Sequence, residues 1–341
     1  PGILQSSLGS KSLEWETNTA FDVALEFGLF KNRVSGTIEY FDRQSTNLIF
    51  AVPLPLSVGI GSETRNIGSM YNRGIELQLS ADLVRTKDFT WNVDLNATKL
   101  ENKITKMPAE SKEIIDGTKK LKEGTSLYDY WLREYKGVNP ENGVAEYRAI
   151  SYVASNSRIT ATGDTLTNNI ANARFWYNGT SIPDLTGSVT NSIRYKGFTL
   201  SALMVYQLGG KIYDAAYAGL MGAGYHNAKH VDILNRWVNP GDKTNVPRMD
   251  NGRTADFDAA SDRWLIDGSY MNVRSVTLSY NLPKTLARKL KMDNAQVYLS
   301  GENFIMLSKR SGMNVQQNFG GTTSNVYSPA KSLVIGLSFS L

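Results

Sequence analysis

The sequence contains two histidines, His226 and His230, four residues apart in the stretch YHNAKHVDIL. On a helix this spacing would bring both imidazoles to one face, where they could hold a metal ion. The neighbouring sequence offers no third ligand and lacks the glutamate of an H-E-x-x-H site. We therefore interpret both histidines as surface residues of a loop and predict no metal site from them.

An acidic stretch, DNGRTADFDAASD, occupies residues 250–262. Its carboxylates, above all Asp250, Asp256 and Asp258, are the oxygen ligands that Ca²⁺ prefers, but their spacing does not match an EF-hand loop. A solvated acidic loop is the favoured interpretation. Calcium bound by these three residues is kept as the alternative, and no other cofactor is expected.

Covalent catalysis has no recognisable basis in this chain. The sequence contains no cysteine, no G-x-S-x-G nucleophile turn and no glycine-rich phosphate loop. Paired carboxylates occur, as they do in any chain of this size. The sequence is therefore predicted not to encode an enzyme.

Aromatic side chains stand beside charged groups in two stretches, SLYDYWLREYKG at 126–137 and FWYNG at 175–179. Flat aromatic faces next to polar groups suit sugar rings or peptide side chains. The alternative is that these loops pack on each other or on a partner protein. The candidate substrate-binding residues are Tyr128, Tyr130, Trp131, Arg133, Tyr135, Trp176 and Tyr177.

Alternation of apolar and polar residues predicts the elements that carry these loops. Phe21, Val23 and Leu25 share one face of the first such stretch, and Asp22 and Glu26 lie on the other. Most of the stretches reach the ~9–11 residues that a tilted membrane strand requires, whereas soluble strands average about five or six. Nine strands are predicted, near 19–30, 33–42, 74–84, 89–98, 188–195, 198–208, 272–282, 295–304 and 332–341.

Connections between the predicted strands alternate between short and long. The long ones run roughly over 45–72, 104–184, 209–268 and 309–330. Since they fall on every second connection, all lie at one end of the sheet, as in an outer-membrane β-barrel. Nine strands with two free edges cannot sit in lipid, because their edge N–H and C=O groups would be unpaired. Strands from outside this sequence are therefore expected.

Composition excludes other classes of protein. Apolar residues make up 41% of the chain, and no run approaches the ~20 apolar residues of a membrane helix. The net charge of +5 is scattered, and its tightest stretch is LPKTLARKLKM at 282–292, which is interpreted as a helical connector. No nucleic-acid partner is predicted, and acidic lipid head groups suit the positive charge better.

Seven segments, in chain order, resemble the C-terminal half of the SusC/RagA family of TonB-dependent outer-membrane transporters. They are LEWETNTAFDVALEFGLFKNRVSGTIEYFDRQSTNLIF, PLPLSVGIGSETRNIGSMYNRGIELQLSA, LREYKGVNPENGVAEY, IPDLTGSVTNSIRYKGFTLS, YMNVRSVTLSYNLPKTLARKL, VYLSGENFIMLSKRSGMNV and SPAKSLVIGLSFSL. The ordered set covers nearly the whole chain.

This resemblance implies an all-β fold, an antiparallel transmembrane β-barrel with long extracellular loops. Residues 1–341 would be its C-terminal portion, strands 14 to 22 of a barrel of about 22 strands, without the plug and the first strands. The implied function is active, TonB-dependent import of nutrients, oligosaccharides or peptides, across the bacterial outer membrane. The C-terminus would be periplasmic.

The resemblance also implies partners. These are a SusD-like surface lipoprotein as a lid, TonB acting through the plug, the N-terminal half of the same barrel, outer-membrane lipid with lipopolysaccharide, and a dimer of SusC–SusD pairs. The apolar stretch AVPLPLSVGIGS, residues 51–62, either contacts such a lid or folds back on its neighbours. The alternative classes are a passive porin, a barrel-based surface adhesin and a soluble β-sandwich lectin.

Overall fold

The computed structural model describes residues 9–10, 12–66, 68–108, 111–222, 228–249, 257–310, 314–316, 320–323 and 329–340. Nine long strands form one antiparallel sheet in which each strand pairs with the next along the chain. The nine are β1 (Thr17–Leu29), β2 (Val34–Thr46), β5 (Ser69–Arg85), β6 (Phe89–Lys106), β15 (Leu185–Tyr195), β16 (Phe198–Leu208), β19 (Tyr270–Asn281), β20 (Asn294–Ser308) and β21 (Ser332–Ser340). The prediction of nine antiparallel strands is confirmed, and the sheet is open, with β1 and β21 at its edges.

Several strands extend beyond their predicted ends. β5 has 17 residues and β6 has 18, and both continue towards the long loops. In that extension the Arg73 guanidinium donates to Glu101 at 2.9 Å and lies 4.4 Å from the Tyr71 ring centroid. Polar residues occupy both faces there, so the alternation that marks the rest of the strand is absent from the sequence.

The connections alternate as predicted. Short turns follow β1, β5 and β15, and a connector with a single helical segment, α2 (Lys284–Lys289), follows β19. The other four connections are long and lie at the opposite rim. Because the sheet is a simple up-and-down meander, every long loop emerges from one end.

The two faces of the main sheet differ in chemistry. Apolar side chains project from the outer face, where Ile335 is 76% exposed, Leu25 65% and Phe21 60%. The opposite face is concave, encloses about 980 Å³ and is lined by polar groups such as Glu76, Gln78 and Asp94. Among the described residues, no helix combines the length and apolarity needed to cross a bilayer.

Aromatic rings cover glycines on neighbouring strands. The Phe41 ring lies where a side chain at Gly74 would project, and the Tyr298 ring does the same at Gly336. Tyr298 and Gly336 are direct partners across β20 and β21. Each glycine leaves room for the ring to lie flat on the sheet, which fixes the register of the strands.

Short elements build the long loops into a packed layer. The short strands are β3 (Ile49–Pro53), β4 (Ser62–Asn66), β7 (Glu113–Asp116), β8 (Lys119–Lys122), β9 (Asp129–Arg133), β10 (Tyr135–Val138), β11 (Ala145–Arg148), β12 (Ser157–Ile159), β13 (Thr165–Thr167), β14 (Phe175–Thr180), β17 (Lys211–Tyr213) and β18 (Leu265–Asp267). The helix α1 spans Ala215–Leu220. Two four-stranded sheets result, β14-β9-β8-β7 and β10-β11-β13-β12, with the hairpins β3-β4 and β17-β18.

The largest buried apolar cluster lies among the loops. We call it the main loop core, and it joins the loop between β6 and β15 to the loop between β16 and β19. Its members are Tyr130, Leu132, Tyr213, Met221, Ile233, Val246, Phe257 and Trp264. Since these residues come from two separate connections, the loops support each other and hold a defined shape above the open end of the sheet.

Candidate functional site

The structure brings the two aromatic stretches together as adjacent strands. β14 pairs with β9, so that Tyr177 lies opposite Trp131 and Phe175 lies opposite Arg133. The paired residues are more than forty positions apart in the sequence. Strand alternation then divides their side chains between two faces of one small sheet.

One face carries a row of aromatic rings, which we call the aromatic face: Trp131, Phe175 and Tyr177. The Trp131 ring centroid lies 4.8 Å from that of Tyr177 and 6.2 Å from that of Phe175. Cations flank the row, with the Lys120 ammonium 4.2 Å from the Trp131 centroid and the Arg133 guanidinium 4.5 Å from the Phe175 centroid. Cation–π contacts of this kind hold the rings in a fixed arrangement.

The opposite face of β9 is buried. Tyr130 is 0% exposed, and its hydroxyl lies 2.6 Å from the Gly321 carbonyl and 3.0 Å from the Lys211 carbonyl. Burial raises the pKa of Tyr130 well above its ordinary value. Tyr130 therefore acts as an anchor that ties three loop segments together, and the structure places it away from solvent.

Trp176 lies on that same side of the sheet but at its edge, where it is 40% exposed. It lines a cavity of about 570 Å³ together with Lys211, Asp262, Asp267 and Asp184. The Trp176 indole N–H donates to Asp262 Oδ2 at 3.3 Å, and burial raises the pKa of that carboxyl. An exposed indole beside carboxylates in a cavity of this size suits a hydroxyl-rich ring or a cationic side chain.

Three predicted residues are fixed by contacts within the loops. Arg133 donates to the Ile170 carbonyl at 3.1 Å, and the Tyr135 hydroxyl donates to the Asn245 carbonyl at 3.2 Å. Burial also raises the pKa of Tyr135 to about 12. Tyr128 is half-buried, and its carbonyl accepts a hydrogen bond from the Lys119 ammonium at 2.6 Å. Among the seven candidates, Trp176 is thus exposed, Trp131 and Tyr177 are half-buried on the aromatic face, and the other four are internal supports.

Sequence reasoning did not single out Lys119. Its ammonium lies 3.3 Å from the Tyr130 ring centroid and 3.3 Å from the Ser181 hydroxyl. Desolvation by burial lowers the pKa of Lys119 to about 7. The Tyr130 ring and the Tyr128 carbonyl both favour the charged form, but they do not offset the desolvation. In the sequence, Lys119 stands in a run of ordinary charged residues, which gives no signal of burial.

A buried ion pair, also unpredicted, joins two long loops. Arg310 Nε lies 3.0 Å from Asp214 Oδ2, and the Asp214 side chain is only 3% exposed. The Arg310 guanidinium also lies 3.9 Å from the Tyr217 ring centroid. Asp214 Oδ1 accepts from the Tyr217 backbone N–H at 3.0 Å and so caps α1. We call this arrangement the loop clasp.

The metal-ligand candidates are only partly within the described residues. His226, Asp250 and Asp256 lie outside them. His230 accepts a backbone hydrogen bond from Asp232 at 3.2 Å, and Asp258 is half-buried. In the part of the chain that the structure describes, no group of three His, Asp or Glu side chains is gathered for a metal ion.

The apolar stretch at residues 51–62 forms a hairpin from β3 and β4. Val52 is buried against Ile104 and Met107, so part of the stretch folds back on the loops. Val58, near the tip, is 48% exposed. The fold-back interpretation therefore holds for the buried part of the stretch, and contact of its exposed tip with a lid protein stays a prediction.

An open antiparallel wall, apolar outside and polar inside, with all its long loops at one rim, defines the class as an outer-membrane β-barrel segment. The β-barrel model of the TonB dependent receptor-like family matches residues 1–304. The chain belongs to this family. The prediction of a TonB-dependent barrel segment of the SusC/RagA type is confirmed.

Named relatives agree with this assignment. TonB-dependent receptor P3 of Formosa agariphila is 28% identical over 328 residues, which cover 93% of this chain and 32% of that protein. TonB-dependent receptor SusC of Bacteroides thetaiotaomicron is 26% identical over 346 residues, covering 96% of this chain and 32% of that protein. The chain spans about a third of the length of these relatives.

A solved structure of the RagAB peptide transporter has a TM-score of 0.85 with this chain at 24% identity. The match covers 99% of this chain and 37% of that one, and it shows likeness of fold. The matched proteins are named as receptors and transporters rather than as enzymes, and the family supports an outer-membrane location.

Proposed function

We propose that this chain is the C-terminal wall and loop layer of an active importer of nutrients across the bacterial outer membrane. The observation that carries the proposal is the open nine-stranded sheet, apolar outside and polar inside. Its two unpaired edges require further strands, because no edge can face lipid. A larger barrel with a plug, coupled to TonB, supplies the strands that pair with both edges of this segment.

The proposed topology follows from the loops. With the long loops outside the cell, β21 runs towards the periplasm and the C-terminus lies there. The nine strands would then be the last nine of a barrel of about 22 strands. Lipopolysaccharide and phospholipid would surround the apolar outer face.

The proposed cargo is an oligosaccharide, with a peptide as the second candidate. The exposed indole of Trp176, beside Asp262 in a cavity of about 570 Å³, supports a sugar ring stacked on the indole with hydroxyls bound by carboxylate. A cationic peptide side chain would use the same two groups. The aromatic face of Trp131 and Tyr177 is a second contact surface.

A SusD-like surface lipoprotein is the proposed lid above the loop layer, and two such pairs would form a dimer. Exposed apolar residues of the loops support a protein partner there: Val58, Ile150, Tyr152, Ile159, Val231 and Leu234. Capture of a lipoprotein with the complete transporter, and loss of that capture after Ile150→Ser and Ile159→Ser, would test this contact.

Uptake by the native host tests the proposal as a whole. Deletion of the complete gene should abolish uptake of one class of labelled oligosaccharide or peptide, and the restored gene should recover it. A proton uncoupler or loss of TonB should abolish uptake to the same extent. Uptake that continues without TonB would overturn active import and favour a passive porin.

A further inference from the structure

The short connections of the main sheet form one continuous edge, which we call the short-turn rim. It consists of residues 30–33, 85–88, 196–197 and 282–293. The Lys196 N–H donates to the Asp88 carbonyl at 2.8 Å, and the Asn281 N–H donates to the Gly197 carbonyl at 2.9 Å. These bonds join neighbouring turns, so their side chains present one surface.

Positive charge is concentrated on this rim. The rim holds nine of the 37 cationic residues and two of the 32 acidic residues, Asp88 and Asp293, so the remaining chain has 28 cations and 30 acids. The whole positive charge of the chain therefore belongs to the short-turn rim. The nine cations are Lys31, Arg33, Arg85, Lys87, Lys196, Lys284, Arg288, Lys289 and Lys291.

These cations are exposed and mostly lack an acidic partner. Arg85 pairs with Asp82 at 3.3 Å. The other eight make no ion pair with any residue that the structure describes. Unneutralised charge of one sign along an edge attracts an external surface of the opposite sign.

Exposed apolar side chains stand among the cations. Phe30 is 75% exposed, and Leu286 and Leu290 of the α2 connector are also exposed. The Lys196 ammonium lies 5.3 Å from the Tyr195 ring centroid. Apolar groups that dip into the acyl boundary, with cations at the level of the phosphates, are typical of elements that lie in a membrane interface.

The α2 connector combines these features most densely. Ala287 is 0% exposed and faces the barrel, while Arg288, Lys289 and Lys291 face outward. The Leu282 N–H donates to the Ala295 carbonyl at 2.9 Å, which ties the connector to β20. The connector is therefore held in place with its cations and leucines presented together.

We propose that the short-turn rim, with the α2 connector as its strongest point, binds the phosphate groups of anionic phospholipids in the leaflet that it faces. This inference rests on the proposed function, since it requires the sheet to lie in a membrane. A folded protein partner fits less well, because the rim is a long, narrow edge that continues the apolar outer face around the perimeter of the wall.

Native mass spectrometry of the complete transporter tests the rim. Dioleoyl phosphatidylglycerol and dioleoyl phosphatidylethanolamine are titrated separately onto the detergent-solubilised protein. The triple variant Arg288→Gln, Lys289→Gln, Lys291→Gln should lose roughly fivefold or more of its preference for phosphatidylglycerol. The matched control Lys106→Gln, Lys112→Gln, Lys243→Gln removes equal charge at the long-loop side and should retain that preference.

The outcomes separate the two proposals. Equal binding of the two lipids by the wild type, or an equal loss of phosphatidylglycerol preference in both triple variants, would overturn lipid binding by the rim. Neither result would contradict the proposed import function. Loss of a bound periplasmic protein from the rim variant, with lipid binding unchanged, would overturn it in favour of a protein partner. A complete protein that stays in solution without detergent would instead overturn the proposed function.

Discussion

At the scale of single residues, the loop layer uses aromatic rings in two ways. Tyr130 is fully buried and joins loops through its hydroxyl, whereas Trp176 on the paired strand stays exposed at a cavity. Both were candidates for ligand contact because sequence shows residue type but not burial. The difference follows from strand alternation and from the position of each residue relative to the sheet edge.

Lys119 should make the stability of the loop layer depend on pH. Its pKa is lowered from 10.5 to about 7, so between these values the unfolded chain holds a proton that the folded chain has released. Stability therefore rises with pH across this window. Lys119→Met should remove that rise, measured by hydrogen exchange of the loop amides from pH 7 to 9.5. The exposed Lys112→Met is the control and should keep it; identical profiles for both variants would contradict the assignment.

Trp176 should matter for cargo binding. Trp176→Ala removes the exposed indole from the cavity and should weaken cargo binding by roughly tenfold, while Trp176→Phe should keep most of the stacking. Binding of the transported oligosaccharide or peptide to the complete protein measures this effect. Tyr152→Ala removes a more exposed ring elsewhere in the loops and should leave affinity unchanged. An equal loss in Trp176→Ala and Tyr152→Ala would refute the site.

At the scale of elements, contacts between loops decide the shape of the layer. The main loop core and the loop clasp both join segments that are far apart in the sequence. A buried carboxylate such as Asp214 is stable only with its cation, since an unpaired charge in that position is strongly unfavourable. The Asp214–Arg310 pair thus holds the loop between β20 and β21 against α1, together with the hydrogen bond from the Thr323 hydroxyl to Asp214 at 3.3 Å.

Arg310→Gln should open this clasp. The variant leaves the Asp214 carboxylate buried without its cation, which should cost about 3 kcal/mol of local stability. Limited proteolysis and hydrogen exchange of residues 209–222 and 320–323 should both become faster. Lys309→Gln is the matched control, because Lys309 pairs with Asp267 at 3.5 Å while 76% exposed and should contribute under about 1 kcal/mol. Equal proteolysis and hydrogen-exchange rates in the two variants would show that the Asp214–Arg310 pair contributes little to local stability.

The strands could be predicted from the sequence and the loop contacts could not. Successive side chains of any strand point to opposite faces of the sheet. The alternation of Phe21, Val23 and Leu25 with Asp22 and Glu26 therefore predicts a strand without knowledge of its neighbours. The pairing of Trp131 with Tyr177, and of Arg310 with Asp214, depends on which distant segments meet. Residue spacing in one sequence carries no information on which distant segments pair, so the sequence shows the two aromatic stretches but not which of their side chains share a face.

At the scale of the whole molecule, the nine strands form a wall rather than a closed ring. Its charge is divided, with the cations of the short-turn rim at one end and a near-neutral remainder. Its buried apolar clusters lie mainly among the loops, because the sheet exposes its apolar face outward. Each of these features fits a segment of a larger barrel in lipid.

Site-directed spin labelling tests this claim most directly, with any cysteine outside these 341 residues replaced first, since these residues contain none. Labels at positions 23, 25, 335 and 337 of the complete protein in bilayers should be accessible to oxygen and shielded from a water-soluble nickel reagent. Labels at positions 24, 26, 334 and 338 should show the reverse. Access of the nickel reagent to both sets, or protection of both sets from both reagents, would contradict the membrane wall.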